Sequence, residues 1–155
     1  LGIGLIGGLA FYLSQIEWLS LYLGPVPWIA LSTLESLWFA LGMAAIAHYW
    51  NHLVKHRQGS LMFGTAVATL WFAREWLSSN LPYGGFPWSR VGQAFADSAL
   101  ANWVYFIGIG GLSWVIVFMV SVILFVAVES EVQPFLLFVI FQSVRVKQFR
   151  IDLVP

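Results

Sequence analysis

Arg74-Glu75-Trp76-Leu77, followed after Ser78-Ser79-Asn80 by Leu81-Pro82-Tyr83-Gly84-Gly85-Phe86-Pro87-Trp88, lies between two runs too apolar for a soluble protein. The seven residues from Pro82 to Trp88 hold two prolines, two adjacent glycines and three aromatics. Gly84-Gly85 permits a left-handed backbone or a close backbone approach, while Pro82 and Pro87 fix φ and remove two donors. The rings of Tyr83, Phe86 and Trp88 suit the headgroup level of a bilayer. Two readings stand side by side: an interfacial turn with aromatic anchors, or a shaped loop that dips into the bilayer edge and grips a lipid. Both place the chain in a membrane.

Composition agrees. The chain has 155 residues, 60% hydrophobic and 9% charged, with a mean hydropathy of +0.83. Soluble domains carry about 25% charged residues, so these charges are too few to cover a water-facing surface. Formal net charge is zero, which leaves no basic field for nucleic acid. Nine Trp and thirteen Phe suit interfacial belts and lipid-facing packing. The chain has no Cys, which excludes disulfides, thiolate metal sites and a cysteine nucleophile within these residues. No phosphate-binding glycine loop, Ser/His/Asp set or zinc helix motif occurs, and no cofactor is expected.

Working outward from the loop, five hydrophobic segments can be set against the roughly 20 residues needed to cross hydrocarbon. The first runs from Gly2 to Leu23, with Gly4, Gly7 and Gly8 spaced for close helix contact. A short Leu23–Trp28 turn leads to the second, Trp28 to Trp50, and a polar loop, His48 to Ser60, precedes the third, Leu61 to Leu77. The run from Ala99 to Val128 is too long for one untilted span. It divides into a short interfacial or re-entrant helix, a Gly108-Ile109-Gly110-Gly111 break, and a span from Leu112 to Val128. The fifth, Pro134 to Val144, is brief. From Val144 to Val154 apolar and polar residues largely alternate, a period-two strand signal. The expected fold is therefore an all-α integral membrane bundle of about five transmembrane helices with a re-entrant or interfacial loop. Residues 1–144 form the helical domain, and 145–155 form a linker and the start of an extracytoplasmic domain. Leu1 opens within an apolar run and Pro155 follows the alternating segment, so the chain reads as a portion of a longer polypeptide whose first spans precede it.

The positive-inside rule puts the Lys55-His56-Arg57 loop in the cytoplasm, together with the Glu129-Ser130-Glu131 turn. The aromatic loop and the tail with Arg145, Lys147 and Arg150 then lie outside. Those three charges run against the rule, although a long following domain translocates largely regardless of charge.

Arg74 and Glu75 lie within the third segment, where charged groups are paired or line a wet cavity. Adjacent helical residues do not face each other, so each needs a partner elsewhere. The alternative is snorkelling to the interface. Glu17 beside Trp18 suits interfacial exposure, whereas Glu35 is deeper, with Ser32, Thr33 and Ser36 near enough to satisfy a carboxyl. Arg90 could meet a lipid phosphate through its fork geometry, or simply be solvated. His48, His52 and His56 share a helical face, but with Lys55 and Arg57 among them they read as a solvated helix end and no metal site is expected.

The Glu75 helix end followed by Gly84-Gly85-Phe86-Pro87-Trp88 resembles the membrane domain of bacterial apolipoprotein N-acyltransferases. The Arg90–Gln93 stretch, the Asp97-Ser98 step, the glycine-rich break and the Tyr22–Leu31 turn are similar too. The Gly-Gly variant of the loop looks like the actinobacterial branch. The resemblance implies a multi-pass cell-membrane protein carrying an extracytoplasmic nitrilase-like α/β domain with a Glu-Lys-Cys triad. There a cysteine takes an acyl chain from a phospholipid donor and passes it to the diacylglyceryl-cysteine of an acceptor lipoprotein. Only the first strand of that domain has a counterpart here, near Phe149 to Val154, and none of the triad residues does, so no catalytic residue carries over. The resemblance leaves Glu75, Pro82, Tyr83, Gly84, Gly85, Phe86, Pro87, Trp88 and Arg90 as candidate substrate-binding residues in contact with membrane lipids. A competing reading from another class is a non-catalytic membrane scaffold that anchors a polyprenol-phosphate mannose synthase or another envelope enzyme. A third, a small transport or channel subunit, has too few aligned intramembrane polar groups.

Overall fold

The computed structural model describes residues 1–55 and 59–129. The expected turn at Glu129–Glu131, the fifth segment, the Val144–Val154 strand, the 145–155 domain start and most of the Lys55–Arg57 loop lie outside them. Among the described residues the chain is helical and holds no strand. Helix α1 is Gly2–Gln15, α2 Trp18–Leu23, α3 Pro25–Lys55, α4 Ser60–Ser78 and α5 Val104–Glu129, with 3₁₀ turns at Val91–Phe95 and Ala99–Trp103.

The first segment is not one helix. Helix α1 stops after 14 residues, about 21 Å, well short of the hydrocarbon thickness. The indole Nε1 of Trp28 donates to the Leu13 carbonyl at 3.1 Å, the acceptor that a continuing helix would offer to Glu17. The chain turns at Ile16–Glu17, makes the single short helix α2, and reverses at Gly24, whose φ of 86° is open to glycine. Helix α3 begins at once with Pro25, and Pro27 follows; proline in a first turn sacrifices only donors that have no partner there. The expected Leu23–Trp28 turn thus shrinks to Gly24.

Helix α1 lies on α3 through small residues. A Cβ at Gly4 would sit 3.1 Å from Ala40 Cα, and one at Gly8 would sit 3.0 Å from Ser36 Cα. Two small residues spaced by four on each helix let the backbones meet, the packing typical of membrane helices. Gly7 takes no part and faces open space. Helix α4 packs between α3 and α5. Phe63 is buried there, edge-on to Trp50 at 4.6 Å and beside Phe125 at 4.9 Å. The expected break is real: Gly108, at φ 69° and ψ 171°, interrupts α5, while Gly110 and Gly111 are helical.

Polarity runs opposite to that of a soluble domain. Ser32, Glu35, Ser36, Arg74, Glu75 and Ser113 are buried, while Ile6, Leu21, Val26, Leu61, Phe106 and Ile123 are exposed. Burial of apolar surface drives folding in water, and this fold leaves such surface outside for lipid. By length and composition, Pro25–Trp50 and Ala99–Ala127 are each long and apolar enough to cross a membrane.

Candidate functional site

The loop after α4 is tied back to the helix it leaves. Asn80 and Leu81 still donate to the Leu77 carbonyl at 3.1 and 2.9 Å, and the Leu81–Pro82 peptide is cis. Tyr83, Gly84 and Gly85 then take positive φ in succession, 53°, 96° and 66°, and Gly85 N–H donates to Pro82 O at 2.9 Å. The two glycines serve different needs. Gly84 needs only the left-handed backbone, since a Cβ there would meet nothing. Gly85 lies directly on the backbone of Ser78, Ser79 and Asn80, where no Cβ fits. That approach lets Phe86 N–H reach the Ser78 carbonyl at 2.8 Å.

Past the aromatic core the chain returns to the same helix end. Arg90 Nε donates to Ser79 Oγ at 3.1 Å, and Val91 N–H donates to Glu75 Oε1 at 2.9 Å. The same carboxylate oxygen accepts Trp71 Nε1 at 2.8 Å. Gln93 closes the turn, its Oε1 accepting Arg90 N–H at 2.9 Å and its Nε2 donating to Pro87 O at 3.2 Å. Gly92 N–H donates to Ser113 Oγ of α5 at 2.9 Å. The last turn of α4 therefore holds both ends of the loop, and its middle stands out. Tyr83 is wholly exposed and Trp88 is 62% exposed.

The candidate residues divide accordingly. Glu75, Gly85, Phe86 and Arg90 gather at the α4 end. Pro82, Tyr83, Gly84, Pro87 and Trp88 form the outward face. Glu75 lies beneath the loop at 2% exposure, with its ordered oxygen on the loop backbone.

Arg74 and Glu75 do not snorkel, since both are buried, and they do face different partners. Arg74 Nη2 donates to the Tyr12 hydroxyl of α1. Its guanidinium lies 5.2, 5.4 and 5.9 Å from the ring centres of Trp71, Phe39 and Tyr12, contacts worth about 2 kcal/mol or more when desolvated. Gly42 makes room: a Cβ there would come within 2.8 Å of Arg74 Cγ. Glu35 of α3 feels the Arg74 charge. The hydroxyls expected to satisfy Glu35 do not reach it, and Ser32 Oγ is itself buried without a partner. Ser36 Oγ donates to Ser32 O at 2.6 Å and Thr33 Oγ1 to Ile29 O at 2.8 Å, because a helical hydroxyl finds the carbonyl one turn back before it reaches a neighbouring side chain. Glu35 Oε1 is left without a partner. Glu17 and Asp97 are exposed, as befits interfacial charges.

Tyr12, Ser79, Ser89 and Ser113 were not singled out by sequence, and Gln93 entered only as the end of the Arg90–Gln93 stretch. The isolated Arg74 is the one signal that could have led to a partner such as Tyr12, since a buried guanidinium requires one.

Residues 1–122 match the family described as the apolipoprotein N-acyltransferase N-terminal domain. The chain is 31% identical over 121 residues to an apolipoprotein N-acyltransferase of Ralstonia nicotianae, covering 71% of this chain and 22% of that protein. An apolipoprotein N-acyltransferase of Nitrosomonas europaea is 40% identical over 65 residues, 41% of this chain and 13% of that protein. One of Bordetella bronchiseptica is 33% identical over 66 residues, 42% of this chain and 12% of that protein. The chain thus spans under a quarter of the length of these relatives. No solved structure matches it.

Proposed function

This chain belongs to the apolipoprotein N-acyltransferase family, and from that membership we propose that it is the membrane-embedded portion of such an enzyme, with the Pro82–Trp88 loop shaping the mouth through which lipid arrives. In this reading about five helices cross the cell membrane, Lys55 to Arg57 lie in the cytoplasm, and the loop faces the extracytoplasmic side. A nitrilase-like domain following the helices supplies the nucleophile. Its thiolate attacks an acyl ester of the phospholipid, expelling the lyso-lipid alkoxide and forming a thioester. The α-amine of a diacylglyceryl-cysteine lipoprotein then attacks the thioester, forming an amide and releasing the thiol.

The observation that carries this reading is the contrast within the loop. Its backbone is fixed to Ser78 and Glu75 and its Arg90 side chain to Ser79, yet Tyr83 and Trp88 are left exposed. A mere interfacial anchor needs rings at the headgroups but no such fixed backbone. Pro82, Tyr83, Gly84, Pro87 and Trp88 are then the lipid-facing residues, while Glu75, Gly85, Phe86 and Arg90 hold them in place.

The test is Trp88→Ala in the complete polypeptide. A contact to an acyl chain lost from the transition state costs about 1–3 kcal/mol, roughly ten- to a hundredfold in rate. Thioester formation and transfer should slow by that much at an unchanged melting temperature. Parental rates for both steps would reduce the loop to an anchor. If the continuous reading frame encodes no downstream Glu, Lys and Cys in a nitrilase-like domain, the scaffold reading for a polyprenol-phosphate mannose synthase takes over.

A further inference from the structure

A cleft of about 480 Å³ opens between α1, α3, α4 and the returning end of the loop. Its walls are the rings of Phe11, Tyr12, Phe39 and Trp71. Its polar lining is Arg74, Ser89 and Arg90 with the amides of Gln15 and Gln93, and among the described residues it holds no carboxylate. Glu35 and Glu75 are not among its lining residues.

Three independent observations converge there. Arg74, only 6% exposed, keeps its Nε buried without a hydrogen-bond partner. The Ser89 hydroxyl is likewise buried and unpartnered. Ser89 also has φ 71°, a left-handed conformation that a non-glycine residue holds only when its surroundings impose it, and such residues cluster at ligand sites. Among the described residues six buried polar atoms lack a partner, and of these Arg74 Nε and the Ser89 hydroxyl belong to residues of this one cavity, where a ligand acceptor would satisfy both. Arg90 at the edge of the cleft uses its Nε on Ser79, so its two terminal nitrogens remain to form a fork.

We propose that this cleft is a binding site for a phosphate-ester anion, held by Arg90 and Arg74 with the Ser89 hydroxyl as a third donor, and with the aromatic walls around the remainder of the ligand. Paired guanidinium donors match phosphate oxygens better than a single ammonium would. Mostly apolar walls with a few converging polar groups are what a small-molecule site requires. The proposal rests on the lipid-handling reading above. It differs in assigning the anion to the inner cleft and not to the exposed Tyr83–Trp88 face.

The test uses the full chain in detergent micelles and four probes: dioleoylphosphatidylglycerol, dioleoylglycerol with the same chains and no phosphate, glycerol 3-phosphate, and inorganic phosphate. The variants are Ser89→Gly and Arg90→Gln. Losing a hydrogen bond to a charged group weakens binding about tenfold, so each variant should lose about that much affinity for the phosphatidylglycerol and none for dioleoylglycerol. Ser89→Gly is the decisive one, since it removes the hydroxyl while relieving the backbone. Its melting temperature should hold or rise as its affinity falls, which a merely structural serine would not show. Competition by inorganic phosphate at concentrations similar to the lipid would support the site with a free anion as its occupant. Competition only at large excess supports it with a lipid headgroup. Equal binding of phosphatidylglycerol by parent and both variants overturns the cleft while leaving the lipid-handling loop standing. Binding of dioleoylglycerol as tight as that of phosphatidylglycerol also overturns it. If no lipid binds the parent, both readings fall.

Discussion

Glu75 reaches the loop backbone with one oxygen and the Trp71 indole with the same oxygen, so its work is acceptance more than charge. Glutamine offers the same acceptor at the same reach; alanine offers nothing. Glu75→Ala leaves two donors without a partner in a dry setting, at about 1–3 kcal/mol each. Melting in mixed micelles should show a loss of about 2–6 kcal/mol for Glu75→Ala and less than half of that for Glu75→Gln. Equal losses would mean that the negative charge is what matters. The neighbouring Arg74 has the opposite character, its charge enclosed by three rings and a tyrosine hydroxyl.

Among the elements, the α1–α3 contact can be tested by a single change. Gly8→Leu would drive a branched side chain into the Ser36 backbone, which lies 3.0 Å from where a Cβ would begin. Overpacking costs about 1–3 kcal/mol, and here it would also part Tyr12 from Arg74. Gly7→Leu, facing open space, should be neutral in the same melting assay, and equal effects at the two sites would refute the assigned face. The sequence spacing offered Gly4, Gly7 and Gly8 of α1 for contact, and only geometry chose between them. It likewise placed α4 to within a residue or so and located the Gly108 interruption, because apolar run length and glycine are strong local signals. The end of α1 was not legible, since it depends on an indole 15 residues away. The hydroxyls near Glu35 misled for a related reason: composition tells which groups could bond, and the helix backbone takes those of Thr33 and Ser36 first. In the loop, two glycines and two prolines announced a fixed shape. That Ser78, Ser79 and Glu75 would hold it could not be read from residues with ordinary local roles.

For the whole molecule, an apolar exterior around buried Arg74, Glu35 and Glu75 commits the fold to lipid on its flanks and leaves the two faces to be assigned by charge. Cysteines introduced at Arg57 and Arg90 should react differently with an impermeant maleimide in intact cells: Arg90→Cys labels and Arg57→Cys does so only after lysis. The reverse pattern would invert the orientation.

The tethering of the loop to the last turn of α4 also bears on time. A flap that opens by itself would let the Phe86 and Val91 amides exchange with deuterium long before the helix frays. Here both amides end on that turn, at Ser78 O and Glu75 Oε1, so they should share the protection of the Ser79 and Leu81 amides and be lost in one cooperative opening. Mass-resolved exchange in nanodiscs would show it as a single rate for the two segments. Any gating at this end would then be a motion of the α4 terminus with the loop as its passenger.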